Sequence, residues 1–153
     1  MRTVTILMGV PGSGKSWYVS THCRGAFVVS VDHYFERLGR FDWRKLGEAH
    51  GECLREFIRH VQDGTVLKEP VHIVVDNTNT KLITMAPYVA IAQAYGYHVE
   101  VVRLECDPKV AAKRCVHEVP EKTIIKMDHE IVHSLQFGLP EVWGARLKVV
   151  PNS

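Results

Sequence analysis

Eight consecutive residues near the N-terminus have the spacing of a phosphate-binding loop. Two glycines, a lysine and a serine hold the four fixed positions, and Gly12 adds a third glycine, in the run Gly9, Val10, Pro11, Gly12, Ser13, Gly14, Lys15 and Ser16. Glycines allow the backbone to turn its N–H groups toward a phosphate, which side chains there would block. The lysine of such a loop contacts the β- and γ-phosphates, and the serine hydroxyl ligates Mg²⁺. The loop, with Trp17 beside it, predicts a site for ATP, with Ser16 as a ligand of Mg²⁺.

The residues on either side of the loop have the composition that such a loop requires. An apolar, β-branched run over residues 3–8 predicts a buried strand before it. A helix is predicted to start near Lys15, and the partial positive charge of its N-terminus favours an anion. A strand before the loop and a helix after it argue against a chance match to the motif.

Two aspartates follow two further predicted strands. Residues 26–31 predict a buried strand that ends at Asp32, and residues 71–75 predict a strand that ends at Asp76. Open α/β sheets bind their ligands at the carboxyl ends of the strands. A carboxylate at that edge is suited to accept the proton of a hydroxyl acceptor. Aspartate is also common as a cap or turn residue after a strand, so both interpretations stay open.

Strands alternate with helices along the chain. Helices are predicted over residues 15–23, 84–95, 108–114 and 120–133, with a long one capped by Asp42 and ended by Gly64, and strands over residues 98–104 and 146–150. Pro87 is expected in the first turn of its helix. This alternation predicts a three-layer α/β sandwich with a parallel sheet, as a single domain over residues 1–153. The loop between Arg114 and Pro120 is then a candidate short lid.

The composition is that of an ordinary globular domain. The 153 residues are 46% hydrophobic and 24% charged, and the net charge of +2 lacks the excess of an obligate nucleic-acid binder. No apolar run approaches membrane-spanning length, and the N-terminus predicts a core strand instead of a signal peptide. The four cysteines show no paired metal spacing. We therefore expect reduced thiols, a cytoplasmic location, no membrane partner and no structural zinc.

The chain resembles the polynucleotide 5′-hydroxyl kinase family of P-loop kinases. The matching segments are residues 9–16, VDHYF at 31–35, VDNTN at 75–79, Lys113 with Arg114, and Val119 with Pro120. It is also similar to the kinase-like domain of an animal ubiquitin-ligase-binding protein that carries a MutS-related nuclease domain. This second likeness rests on LGEAH at 46–50 and on residues 76–80. Together the likenesses cover the chain to about residue 133.

The resemblance implies a role for each matching residue. Asp32 would be the general base, and Lys15 and Arg114 would stabilise charge on the transferring phosphoryl group. Asp76 would place the acceptor or organise the serine and the metal. The residues expected at the acceptor are Asp76, Asn77, Asn79, Tyr34 and Arg37. Where phage members have an arginine this chain has Phe35, and its short lid holds His117 and Glu118 instead of a second arginine.

The expected function is an ATP- and Mg²⁺-dependent kinase that phosphorylates a hydroxyl of DNA or RNA, above all a 5′-hydroxyl. A kinase of a hydroxymethylated base in DNA is a close alternative. A kinase of a nucleoside or another small metabolite belongs to a second class. A nucleotide-dependent binding module without transfer activity belongs to a third class. A carboxylate in the position of the base argues against that class.

Three further features have two interpretations each. His129, Glu130 and His133 fit the H-E-x-x-H pattern of zinc hydrolases, but the chain has nine histidines and no obvious third ligand, so a chance match is favoured. Tyr34 and Phe35 either stack on a base of the acceptor or belong to the core. The remaining feature is a basic segment that either follows a phosphate backbone or forms a solvated face; it contains Arg37, Arg40, Arg44 and Lys45.

Overall fold

The computed structural model describes residues 1–67, 70–115 and 119–152. Five strands form one sheet: β1 (Arg2–Met8), β2 (Phe27–Val29), β3 (Val71–Val75), β4 (His98–Glu105) and β5 (Arg146–Pro151). The helices are α1 (Lys15–His22), α2 (Val31–Leu38), α3 (Leu46–Val66), α4 (Leu82–Ala94), α5 (Pro108–Arg114) and α6 (Glu121–Ser134). Short 3₁₀ helices cover Trp43–Lys45 and Glu141–Trp143. The sheet has the order β2-β3-β1-β4-β5, and every pair of neighbours is parallel.

Alternating side chains of the strands point to two different hydrophobic clusters. In β1, Val4, Ile6 and Met8 join the larger cluster, which also contains buried residues of α3, α4, α5 and α6. Leu7 points to the opposite face and packs with Tyr18 of α1 in a smaller cluster. The period of two in the strands therefore produces helices on both faces of the sheet. The predicted α/β sandwich with a parallel sheet is confirmed.

The register of the central strands brings three chain segments to one edge. Val75 of β3 pairs with Ile6 of β1 on one side and with Val29 of β2 on the other. The ends of these three strands therefore lie side by side. Because each strand continues directly into a loop or helix, the phosphate loop, the start of α2 and the segment from Asp76 meet at the carboxyl edge of the sheet.

The second strand ends earlier than the sequence predicted. β2 stops at Val29, and the chain turns at Ser30 into α2, a helix that the sequence analysis did not place. The Ser30 hydroxyl accepts a hydrogen bond from the backbone N–H of Asp32 at 3.1 Å, as an N-cap does. Asp32 thus lies in the first turn of a helix at the sheet edge and not at the end of a strand. The apolar, β-branched Val31 was misassigned because strand and buried helix share that composition.

Three other local predictions were wrong. Asp42 caps the 3₁₀ helix before α3 and not α3 itself, since its carboxylate accepts from the N–H of Arg44 at 3.0 Å. Pro87 lies inside α4, which begins at Leu82. Gly64 does not end α3 but lies buried within it. A Cβ at Gly64 would lie 2.2 Å from the hydroxyl of Tyr97, so the glycine is there for close packing of the helix.

Two remaining expectations concern the lid and the membrane. Residues 116–118 of the candidate lid, including His117 and Glu118, lie outside the described residues. Within the described ranges, no helix is long and apolar enough to cross a membrane.

Candidate active site

The phosphate loop needs glycine at the positions where the motif has it. Gly12 and Gly14 have φ angles of 82° and 101°, in the region that favours glycine. A Cβ at Gly12 would lie 2.1 Å from the carbonyl oxygen of Ala111, and one at Gly14 would lie 1.9 Å from the side-chain nitrogen of Asn152. Gly14 begins α1 without a side-chain cap, so the N-terminal N–H groups of that helix remain available to an anion.

The lysine of the loop is folded back over the backbone of the loop. Its ammonium group donates to the carbonyl oxygens of Gly9 at 2.9 Å and Val10 at 3.1 Å. Burial lowers the pKa of Lys15, and the negative charges of Asp76 and Asp32 oppose that change. The ammonium group therefore lies within the electrostatic reach of both aspartates. This is the arrangement that a triphosphate bound between loop and carboxylates would require.

Asp76 is the more buried of the two aspartates: it is half-buried, whereas Asp32 is exposed. Burial raises its pKa, the ammonium of Lys15 lowers it, and the charge of Asp32 raises it again. Its backbone N–H donates to the carbonyl oxygen of Val29 at 2.9 Å, which fixes the start of its loop to the end of β2. The sequence predicted two carboxylates at one sheet edge, and the structure brings them together with Lys15.

These residues fit a magnesium ion. Mg²⁺ prefers oxygen ligands and is usually held by one or two carboxylates together with phosphate oxygens and water. The exposed hydroxyl of Ser16, in the first turn of α1, and the carboxylates of Asp32 and Asp76 are oxygen donors of that kind. No group of three or more His, Cys, Asp or Glu side chains among the described residues could hold a metal by itself. The site is therefore suited to a metal that arrives with a nucleotide.

The asparagines after Asp76 bind other parts of the protein. The side-chain oxygen of Asn77 accepts from the N–H of Val31 at 2.9 Å, and the side-chain nitrogen of Asn79 donates to the carbonyl oxygen of Leu7 at 2.7 Å. Asn79 has a φ of 48°, a conformation that asparagine tolerates better than most residues. Both side chains are buried. They connect the Asp76 loop to α2 and β1, so both side chains are engaged inside the protein.

The arginine at the end of α5 contacts a residue that the sequence analysis missed. Arg114 is exposed, and its guanidinium donates to the backbone carbonyl oxygen of Asn152 at 3.1 Å. The side-chain nitrogen of Asn152 donates to the carbonyl oxygen of Ser13 in the phosphate loop at 2.8 Å. The backbone N–H of Asn152 donates to the backbone carbonyl oxygen of Glu105 at 2.7 Å. The one sequence signal for Asn152 was its place after a strand that ends at the ligand-binding edge.

The other predicted contacts lie around this centre. The hydroxyl of Tyr34 donates to the carboxylate of Glu48, a bond that raises the pKa of Tyr34. Arg37 forms an ion pair with Glu52. Both side chains therefore connect α2 to α3. Trp17 is exposed on α1, with its ring edge-on to the ring of His22.

The H-E-x-x-H segment lies on α6, which contacts the loop that follows Asn79. Glu130 accepts a hydrogen bond from the hydroxyl of Thr80 at 2.9 Å. The two histidines line an open depression of about 350 Å³ with Val132 and Gln136. The glutamate is therefore engaged in holding α6 to the loop before α4.

Residues 4–127 match the AAA domain family. NEDD4-binding protein 2 of Homo sapiens is 34% identical over 135 residues, which cover 81% of this chain and 7% of that protein. A chain in the Pnkp1/Rnl/Hen1 RNA repair complex superimposes with a TM-score of 0.74 and 17% identity, over 89% of this chain and 46% of that one. A gluconokinase from Sinorhizobium meliloti 1021 gives a TM-score of 0.54 and 18% identity, over 99% and 83% of the two chains. These structural likenesses show a shared fold.

Proposed function

The chain belongs to the AAA domain family and has the P-loop kinase fold; on that basis we propose that it is an ATP- and Mg²⁺-dependent phosphotransferase that phosphorylates a hydroxyl of a nucleic acid, above all a 5′-hydroxyl. The observation that carries this proposal is the grouping of Lys15 with Asp32 and Asp76 at one edge of the sheet, where the charges of both carboxylates act on the lysine. A carboxylate for the acceptor beside a cation for the donor is what phosphoryl transfer needs.

The donor side of the site is formed by the loop and the start of α1. The N–H groups of the loop and the N-terminus of α1 face the phosphates of ATP, and Lys15 moves its ammonium from the carbonyl oxygens of Gly9 and Val10 to the β- and γ-phosphates. Ser16 and Asp76 would hold Mg²⁺, which would neutralise charge on the phosphates when bound. Trp17, which is exposed on α1, would lie beside the nucleotide.

The acceptor side is formed by the start of α2. The carboxylate of Asp32 accepts the proton of the acceptor hydroxyl while the hydroxyl oxygen attacks the γ-phosphorus. The bond from that phosphorus to the bridging oxygen of the β-phosphate breaks, and ADP leaves with the bonding electrons. Arg114 approaches the transferring group from the end of α5 and stabilises its charge. Tyr34 and Arg37 support this side by holding α2 on α3.

One structural relative and the charge of the acceptor side support a nucleic-acid acceptor over a small metabolite. One structural relative is part of an RNA repair complex, and it superimposes more closely than the gluconokinase does. The exposed basic segment after Asp32 adds positive charge on the acceptor side. A kinase of a hydroxymethylated base and a metabolite kinase are the competing outcomes of the experiment below.

Transfer of a labelled γ-phosphate tests the proposal. The purified chain is offered a 5′-hydroxyl oligonucleotide of DNA or RNA, a DNA oligonucleotide with a hydroxymethylated base, a nucleoside and gluconate. We expect label at the 5′ ends of the oligonucleotides, removable by a phosphatase. Lys15→Ala abolishes the label, and Lys45→Ala, which changes an exposed lysine, leaves ATP binding intact. Label on gluconate or the nucleoside alone, or none with any acceptor, contradicts the proposal.

A further inference from the structure

The connection between α2 and α3 exposes two aromatic rings. Phe41 is 66% exposed and Trp43 is 75% exposed, whereas Phe35 and Phe57 are buried. Rings of this size are usually sheltered, so two exposed ones only two residues apart suggest a binding surface.

This segment is held in place on both sides of the exposed rings. The ring of Phe41 packs on the buried ring of Phe35, with centroids 4.8 Å apart. Asp42 caps the 3₁₀ helix that carries Trp43. The guanidinium of Arg44 donates to both oxygens of the Asp42 carboxylate, at 3.1 and 3.2 Å. The ring of Phe41 and the backbone that carries Trp43 are therefore held in place before any partner binds, which reduces the ordering cost of binding.

Positive charge surrounds the two rings. Residues 37–45 contain four cationic side chains and one carboxylate, which gives a local formal charge of +3. Arg40, directly before Phe41, forms no ion pair within the described residues, and Arg44 is exposed despite its bond to Asp42. Lys45 lies 3.8 Å from Glu48, and Arg37 is paired with Glu52. Arg40 is thus the cation without an ion pair among the described residues, and the Arg44 side chain, which is 70% exposed, keeps further guanidinium N–H groups beyond its two bonds to Asp42.

The rings follow the helix that begins at the proposed base. Asp32 and Phe35 are three residues apart on α2 and therefore share a face of that helix. The ring of Phe41 packs on Phe35 and so extends the face that begins at Asp32, and Trp43 follows two residues later. The helix ends at Leu38, six residues after Asp32, which is about 9 Å along its axis. A strand whose terminal hydroxyl lies at Asp32 reaches the rings within its first few nucleotides.

We propose that Phe41 and Trp43 form a stacking platform for unpaired bases of a single-stranded acceptor, and that Arg40 and Arg44 contact its phosphates. Aromatic rings interleaved with cations are the usual means of binding single strands, since every base has a face that can stack. A duplex hides those faces, so the platform favours single strands over duplexes. This inference rests on the proposed function, because it assumes a nucleic-acid acceptor at Asp32.

The test compares acceptor binding and transfer among four variants of the full chain. The probe is a fluorescently labelled, single-stranded oligothymidylate of about ten nucleotides with a free 5′-hydroxyl. We expect Trp43→Ala to weaken binding and to raise the acceptor KM by roughly 5- to 100-fold, the range for loss of one base stack. Trp43→Phe restores most of the binding. Phe137→Ala, which removes a ring that is 90% exposed outside the platform, changes neither quantity. Arg40→Gln flattens the salt dependence by about one unit.

The outcomes separate this inference from the proposed function. Phosphorylation of the oligonucleotide with an acceptor KM that Trp43→Ala leaves unchanged overturns the platform alone. An equal loss in Phe137→Ala overturns it too, because the effect is then not specific to the segment. A wild-type chain that neither binds nor phosphorylates the strand, but phosphorylates a metabolite, overturns both proposals. The melting temperature of each variant confirms that the exposed substitutions leave the fold intact.

Discussion

The side-chain amide of Asn152 donates to the carbonyl oxygen of Ser13 at 2.8 Å, so the end of β5 is bonded directly to the phosphate loop. The same residue accepts from Arg114 through its backbone oxygen and donates to Glu105 through its backbone nitrogen. Asn152 therefore connects the loop that faces the phosphates to the arginine proposed to stabilise the transferring group. We infer that it positions both without touching the reacting atoms.

Replacing Asn152 tests this positioning role. Asn152→Ala removes only the side-chain bond, and the loss of one hydrogen bond should raise the KM for ATP by about 5-fold. Asn152→Asp keeps the shape but sets a carboxylate against the carbonyl oxygen of Ser13, so it should be the more damaging change. Steady-state kinetics with both variants checks this order. If the aspartate variant is the milder one, the residue only fills space.

The half-buried carboxyl of Asp76 predicts a dependence of stability on pH. Burial raises the pKa of its carboxyl above the ordinary 3.8, so the folded state binds this proton more tightly than the unfolded state does. Ionisation of this carboxyl therefore destabilises the folded state at neutral pH. The destabilisation vanishes below pH 3.8, where both the folded and the unfolded state are protonated. Asp76→Asn should be more stable than the wild type at pH 7 and lose that advantage as the pH falls.

Urea unfolding across pH measures the effect of Asp76→Asn. Asp63→Asn, which changes an exposed aspartate on α3, is the matched control and should show no such trend. A wild type more stable than Asp76→Asn at neutral pH would mean that the attraction of Lys15 exceeds the cost of burial. The proposed role of Asp76 in the site would then need a different electrostatic basis.

Two glycines of α3 should respond oppositely to alanine. A Cβ at Gly64 would lie 2.2 Å from the hydroxyl of Tyr97 and 3.1 Å from Val71, so Gly64→Ala should destabilise by about 1–3 kcal/mol. Gly47 has nothing within 4 Å of an added Cβ, so Gly47→Ala should stabilise by about 0.5–1 kcal/mol through helix propensity. Free energies of unfolding in urea check both. Similar values for the two variants would contradict the close packing of α3.

The arrangement of strands and helices could be predicted because the sequence patterns that indicate it lie within short segments. The phosphate loop, the β-branched runs and their alternation with helices are each contained within a few residues. The start of α2 could not be predicted, since Val28 to Val31 is equally suited to strand and buried helix, and the capping bond of Ser30 decides. Asn152 and Ser13 meet across 139 positions of sequence, and no periodicity reports such a contact. The exposure of Phe41 and Trp43 likewise depends on what packs beside them, so sequence alone suggested Tyr34 and Phe35 instead.

The histidine pair on α6 provides a test of a separate prediction. Glu130 bonds to Thr80 and holds α6 in place, and the histidines line an open depression. Replacing His129 and His133 together with glutamine should leave phosphoryl transfer unchanged, and the purified wild type should contain no stoichiometric zinc. Elemental analysis and the transfer assay measure both. Stoichiometric zinc that disappears in the double variant would establish a metal site there.

The most direct test of the account is the turnover of Asp32→Asn on a 5′-hydroxyl oligonucleotide, measured together with its affinity for ATP. The substitution keeps the size of the side chain and removes the proton acceptor. We predict that kcat falls by roughly 10²- to 10⁴-fold, that ATP binding stays close to that of the wild type, and that Asp63→Asn behaves as the wild type. Near-normal turnover in Asp32→Asn, or a collapse of ATP binding, would contradict the assignment of Asp32 as the base.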